Sequence, residues 1–85
     1  MKLKSILKYI EKVVSVVPLT MARAGERNVI KRVSGKDETR RFLENLGFVS
    51  GAYVIVVSEM GGNMIVNVKD SRVAINRDMA GKIMI

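Results

Sequence analysis

The stretch RRFLENLGFVSG, Arg40 to Gly51, constrains this chain more than any other. Phe42, Leu43 and Leu46 recur at helical spacing, so one face of a short helix is apolar while Arg40, Arg41, Glu44 and Asn45 occupy the other. Gly47 stands where a helix needs a left-handed residue to stop, a conformation glycine adopts without steric cost. Phe48 follows at the position that packs back on Leu43 in a Schellman ending. Ser50-Gly51 adds a second turn signal, and the apolar run AYVIVVS then enters a strand. A helix this short is marginal alone and needs a sheet to cover. The segment predicts a helical lid on a small barrel.

With 85 residues the chain has room for one domain and a stability of roughly 5 kcal/mol, near the low end for globular proteins. A hydrophobic content of 48% beside 27% charged residues is that of a folded chain. Valine and isoleucine dominate the apolar set and favour strands. Cysteine is absent, so there is no disulfide framework, in keeping with a reducing compartment. Lys2, Lys4, Lys8 and Lys12 against Glu11 give residues 1–17 a net +3 of the total +7. The rest is spread over a surface of mixed sign, so the basic balance alone selects no partner.

Leu3, Ile6, Leu7, Ile10, Val13, Val14 and Val17 recur at three and four, the pattern of an amphipathic helix. Pro18 stops it. Residues 1–17 therefore read as a helical extension and 18–85 as the domain proper. The stripe Leu3, Ile6, Leu7, Ile10 and Val14 has two readings: packing on the barrel or on a second copy as a homo-oligomer, and peripheral adsorption to an anionic membrane. Packing is favoured, since a few lysines give weak adsorption. The longest uncharged run here, Val13 to Ala22, falls short of the ~20 residues of a span. Ala22-Arg23-Ala24 resembles a signal cleavage site, but Lys8, Glu11 and Lys12 interrupt the apolar segment, which argues against secretion.

The first strand is expected at Leu19 to Ala22. A second, Arg27 to Val33, breaks parity, because Ile30 and Val33 both look buried; a bulge near Lys31-Arg32 would reconcile them. Asp37 is the expected N-cap. Ala52 to Ser58 is apolar on both alternations, as for a central strand covered by the core on one side and a helix on the other. Gly61-Gly62 reads as a hairpin turn. Met64, Val66 and Val68 form one core face, Asp70-Ser71 turns the chain, and Val73 and Ile75 continue the pattern. Asn76 caps a helical turn ending at Gly81, and Lys82 to Ile85 forms a last strand. The fold class is mainly β: an SH3-like barrel of five to six strands with one helix inserted at about 37–46.

Histidine and cysteine are both missing, which excludes acid-base or nucleophilic catalysis by those residues and disfavours a tight ferrous site. Asp37 and Glu38 are adjacent at a helix start and read as capping and dipole partners. The methionines sit at core spacing. Gly61-Gly62 lacks the lysine and helix of a phosphate loop. No catalytic residue, metal ligand or cofactor is indicated. Nucleic acid is disfavoured as well: Phe42 and Phe48 are committed to the helix, leaving Tyr9 and Tyr53, too few for a stacking platform.

The chain resembles the FeoA family, small cytoplasmic proteins of bacterial ferrous iron uptake. The resemblance runs from about Pro18 to Ile85. It is carried by the opening PLTMARAGE, a strand ending VSG at Val33 to Gly35, the helix and glycine turn above, a central hairpin, and the close RVAINRDMAGKIMI. Family members often carry Pro where this chain has Ser50, and residues 1–17 extend beyond the usual domain. The resemblance implies an SH3-like barrel that works by protein–protein contact. The implied partner is the membrane ferrous iron permease with its GTPase domain, which the protein would dock on or help assemble. The implied contact surface is the exposed side of the helix, Arg40, Arg41, Glu44 and Asn45, with Phe48 and Val49 beside it. Helix termination and core packing alone also account for Leu46, Gly47 and Phe48. Glu38 with Arg41 and Arg40 with Glu44 read equally as helix-spaced ion pairs worth ~0.3 kcal/mol each.

Overall fold

The structure, a computed structural model, describes residues 16–85. The amphipathic stripe Leu3, Ile6, Leu7, Ile10 and Val14 lies outside the described residues, as does Tyr9. Six strands form two sheets: β1 (Arg27–Val29), β3 (Tyr53–Met60), β4 (Asn63–Val68) and β5 (Ser71–Asn76) in the order β1-β3-β4-β5, and β2 (Arg32–Val33) with β6 (Ile83–Met84). All pairings are antiparallel. Helix α1 (Asp37–Asn45) packs against β2, and the single turn α2 (Arg77–Ala80) joins β5 to β6. The result is the mainly β, SH3-like architecture expected, with the core between the two sheets.

The core follows the alternation of the strands. Val54 and Val56 of β3 face Val68 and Val66 of β4, all at most 2% exposed, and Met64 faces Ile75 of β5. Leu19, Leu43, Phe48 and Ile83 close this layer from the other side.

Two expected strands form differently. Leu19–Met21 is a 3-10 turn, with the Met21 N–H donating to Pro18 O and the Ala22 N–H to Leu19 O, both at 2.9 Å. The strand-like pairing comes earlier: Pro18 bridges Met84, and Val17 and Ile85 exchange N–H···O bonds of 2.9 and 2.8 Å. Turning at once after Pro18 places Leu19 wholly inside. The segment 27–33 is likewise not one bulged strand. β1 pairs with β3 and β2 with β6. Between them the Ile30 N–H bonds Ala52 O (2.9 Å) and the Lys31 N–H bonds Met84 O (2.7 Å), so the chain changes sheets at these two residues. The broken parity of Ile30 and Val33 is that change of sheet. The register irregularity falls in β3 instead, between Val56 and Ser58.

Gly61 and Gly62, with φ of 56° and 82°, make the β3–β4 connection a two-residue hairpin of the primed type, whose twist matches the strands. Asn76 caps α2 as expected, its Oδ1 accepting from the Met79 N–H at 2.8 Å. Arg77 pairs with Glu59, fastening the turn to β3. Asn76→Ala should therefore cost about 1 kcal/mol, read as a lower urea midpoint at unchanged slope.

Candidate docking surface

Helix α1 begins at Asp37 itself, one residue earlier than a cap at that position requires. The cap is Lys36, in extended conformation with no side-chain hydrogen bond, so Asp37 is not the N-cap. Its carboxylate binds Arg40 at 2.5 Å, one turn on. Arg40 thus pairs with Asp37 rather than with Glu44. Asp37 and Glu38 both lie in the first turn, where negative charge complements the exposed N–H groups.

The far end is a complete Schellman ending. The Phe48 N–H donates to Leu43 O (3.0 Å) and the Gly47 N–H to Glu44 O (3.0 Å), with Gly47 at φ 109°. Leu43 and Phe48 are both fully buried. The following turn is fastened at three points. The Ala52 N–H bonds Val49 O, the Gly51 N–H bonds Ile30 O, and the Ser50 hydroxyl donates to Lys31 O at 2.8 Å. Ser50 thus ties the turn to the link between the sheets.

These constraints decide which side of α1 faces solvent. Thr39, Leu43 and Leu46, at i, i+4 and i+7, turn inward. Arg40, Arg41, Glu44 and Asn45 are exposed, and Val49 is half-buried. Phe48, expected beside them, is 0% exposed and belongs to the core, so it presents nothing to a partner. Phe42, expected in the core, is 48% exposed. Successive helical residues are about 100° apart, so a residue next to the fully buried Leu43 is swung to the flank. The signal was present in the spacing: Thr39, Leu43 and Leu46 already complete an inward line without Phe42. The exposed surface of α1 thus has two flanks, one with Phe42 and Asn45 and the other with Arg40 and Glu44.

The covering of β3 differs from expectation too. Its second face was expected under a helix, but α1 rests on β2, and Tyr53 at the start of β3 is 54% exposed. Among the described residues, no group of three or more carboxylates converges to hold a metal ion, and no helix is long and apolar enough to cross a membrane.

Comparison with known proteins agrees with this architecture. The FeoA domain profile matches residues 17–85, starting at the residue that pairs with Ile85. A protein of Methanocaldococcus jannaschii, provisionally named Fe(2+) transport protein A, is 31% identical over 68 residues, 80% of this chain and 83% of its own. The crystal structure of an iron uptake regulatory protein (FeoA) superposes with a TM-score of 0.74 at 28% identity, covering 81% of this chain and 93% of the other. Stenotrophomonas maltophilia FeoA, solved with zinc and described as a procaryotic SH3 domain protein, gives 0.69 at 26% identity over 78% of this chain and 85% of its own. The sheet order, the glycine-stopped helix and the match across residues 17–85 lead to one assignment: this chain belongs to the FeoA family, whose members are implicated in ferrous iron transport.

Proposed function

We propose that this protein is a non-enzymatic adaptor of ferrous iron uptake. It binds the cytoplasmic GTPase portion of the membrane iron permease, or steers its assembly, through the exposed side of α1. The observation that carries this reading is Phe42, held half-exposed on the flank of α1 that also carries Asn45, one turn on, while its neighbour Leu43 is fully buried. Aromatic and arginine side chains dominate binding hot spots, and a rigid support lowers the ordering cost of presenting them. The Schellman ending and the bonded turn at Ser50 supply that support. A chain without histidine or cysteine is suited to shape recognition and poorly equipped for transferring groups or retaining iron.

The test is a titration of the purified GTPase domain of the cognate permease with this protein and its Phe42→Ala variant. Affinity should fall by a factor of ten or more, about 2 kcal/mol for a hot-spot aromatic, with the urea midpoint nearly unchanged because the ring is half in solvent. Arg40→Ala with Glu44→Ala should add a smaller loss. Equal affinity for all three proteins would remove α1 from the interface.

A further inference from the structure

The outer face of the four-stranded sheet carries a second arrangement that α1 does not account for. Arg27, Ile55, Asn67 and Arg72 are register partners in one row running across β1, β3, β4 and β5. The Arg27 guanidinium lies over the Tyr53 ring, 4.4 Å from its centroid, and the Arg72 Nε–H donates to Asn67 Oδ1 at 3.2 Å. Both arginines are thus held by neutral partners. Of the two ion pairs among the described residues, Arg40–Asp37 and Arg77–Glu59, neither is on this face. Around this row the face is largely apolar: Val29 and Tyr53 are 42% and 54% exposed, and Ile55 and Ile65 are half-buried, with Asn67 the polar residue between the arginines. A groove of about 720 Å³ runs along it from Tyr53 and Ile55 to Lys69 and Arg72, with Asp70 the single carboxylate on its wall.

We infer that this face is a docking surface for an extended acidic segment of a partner protein, separate from the surface of α1. Strands lie about 4.8 Å apart, so the ends of the four-strand row are separated by about 14 Å. An extended peptide advances about 3.4 Å per residue, so carboxylates four residues apart span the same distance, and the residue midway points to the same side. A Glu-x-Leu-x-Glu pattern therefore matches the row, with a carboxylate toward each arginine and the leucine over its middle, between Ile55 and Asn67. Charge-assisted bonds to arginine are the stronger class, and a pre-held guanidinium loses little freedom in forming them. Single-stranded nucleic acid fits less well. It needs successive stacking rings, whereas this face has Tyr53 alone, with Arg27 already on one side of it.

The experiment records amide shifts of the isotopically labelled full chain during titration with a short peptide bearing Glu-Ser-Leu-Ser-Glu. Shifts should gather at Arg27, Tyr53, Ile55, Asn67 and Arg72, and weaken with added salt. The Arg27→Glu, Arg72→Glu double variant should bind roughly tenfold more weakly or worse, from like-charge opposition. Phe42→Ala should leave the titration unchanged, which separates this surface from the permease contact. The inference is overturned if the glutamine version of the peptide binds as well, if the shifts fall on α1, or if oligodeoxythymidine occupies the same amides more tightly.

Discussion

Phe48→Ala should leave a substantial part of the protein unfolded at room temperature. The ring is the largest fully buried side chain among the described residues, at 0% exposure, and it packs in one cluster with Leu19, Leu43 and Ile83. Removing a buried phenylalanine typically costs about 3–5 kcal/mol, from lost transfer energy and the cavity left behind. A domain of this size has only about 5 kcal/mol to lose. Urea unfolding followed by circular dichroism should show a sharply lowered midpoint with an unchanged slope. Phe48→Leu, which keeps an apolar group of reduced volume in the site, should lose about half as much or less. A Phe48→Ala protein as stable as the parent would mean that this side chain lies at the surface, where the implied contact surface had it.

Gly47→Ala carries the second large effect, through two separable causes. At φ 109° any side chain is strained, typically by about 1–3 kcal/mol. An added Cβ would also lie 3.0 Å from Lys69 Cγ and 3.3 Å from Lys69 Cβ, at the root of that side chain. Gly51 is the internal control, since its φ is 87° but nothing lies within 4 Å of the added atom. Gly51→Ala should cost about 1 kcal/mol and Gly47→Ala about 2 kcal/mol or more. Lys69→Gly should recover the difference in the Gly47→Ala background, and alone it should be close to neutral because Lys69 itself sits at φ 48°. A double-mutant cycle in urea measures this coupling. If the two alanine variants are equally stable and Lys69→Gly changes neither, the contact between helix end and hairpin contributes nothing.

The fold was legible wherever a local rule acts alone. Gly47 with Phe48 spelled a Schellman ending, Gly61-Gly62 a hairpin and Asn76 a cap, and each formed as its chemistry dictates. The misses involve competition between partners distant in sequence. Leu19 to Ala22 has strand composition, but Met84 and Ile85 were available only to Val17 and Pro18, so the residues after them turned. Arg27 to Val33 looked continuous because no local pattern reveals that Ala52 and Met84 draw successive amides to different sheets. The helix surface was partly legible. Arg40, Arg41, Glu44 and Asn45 are exposed as the charge pattern required. Phe42 turned out to the flank against its apolar character, while Phe48 took the core place its Schellman position required and not the implied contact surface. The row from Arg27 to Arg72 depends on register across four strands and leaves no trace in a linear pattern.

The change of sheet at Ile30 and Lys31 has a bearing on how this protein opens. β3, β4 and β5 are joined by two-residue turns, so their pairing closes short loops and forms early. The seam of β2 on β6 joins Arg32 to Met84 and Val33 to Ile83, contacts that close a loop of about fifty residues. Short and last to form, that seam is the natural place for partial unfolding. The amides of Lys31 and Ser34, which bond across it, should exchange with heavy water before those of Val54 or Val66. Opening there releases the root of α1 while the three-stranded meander stays intact, so the two faces of the molecule can come apart without either one melting.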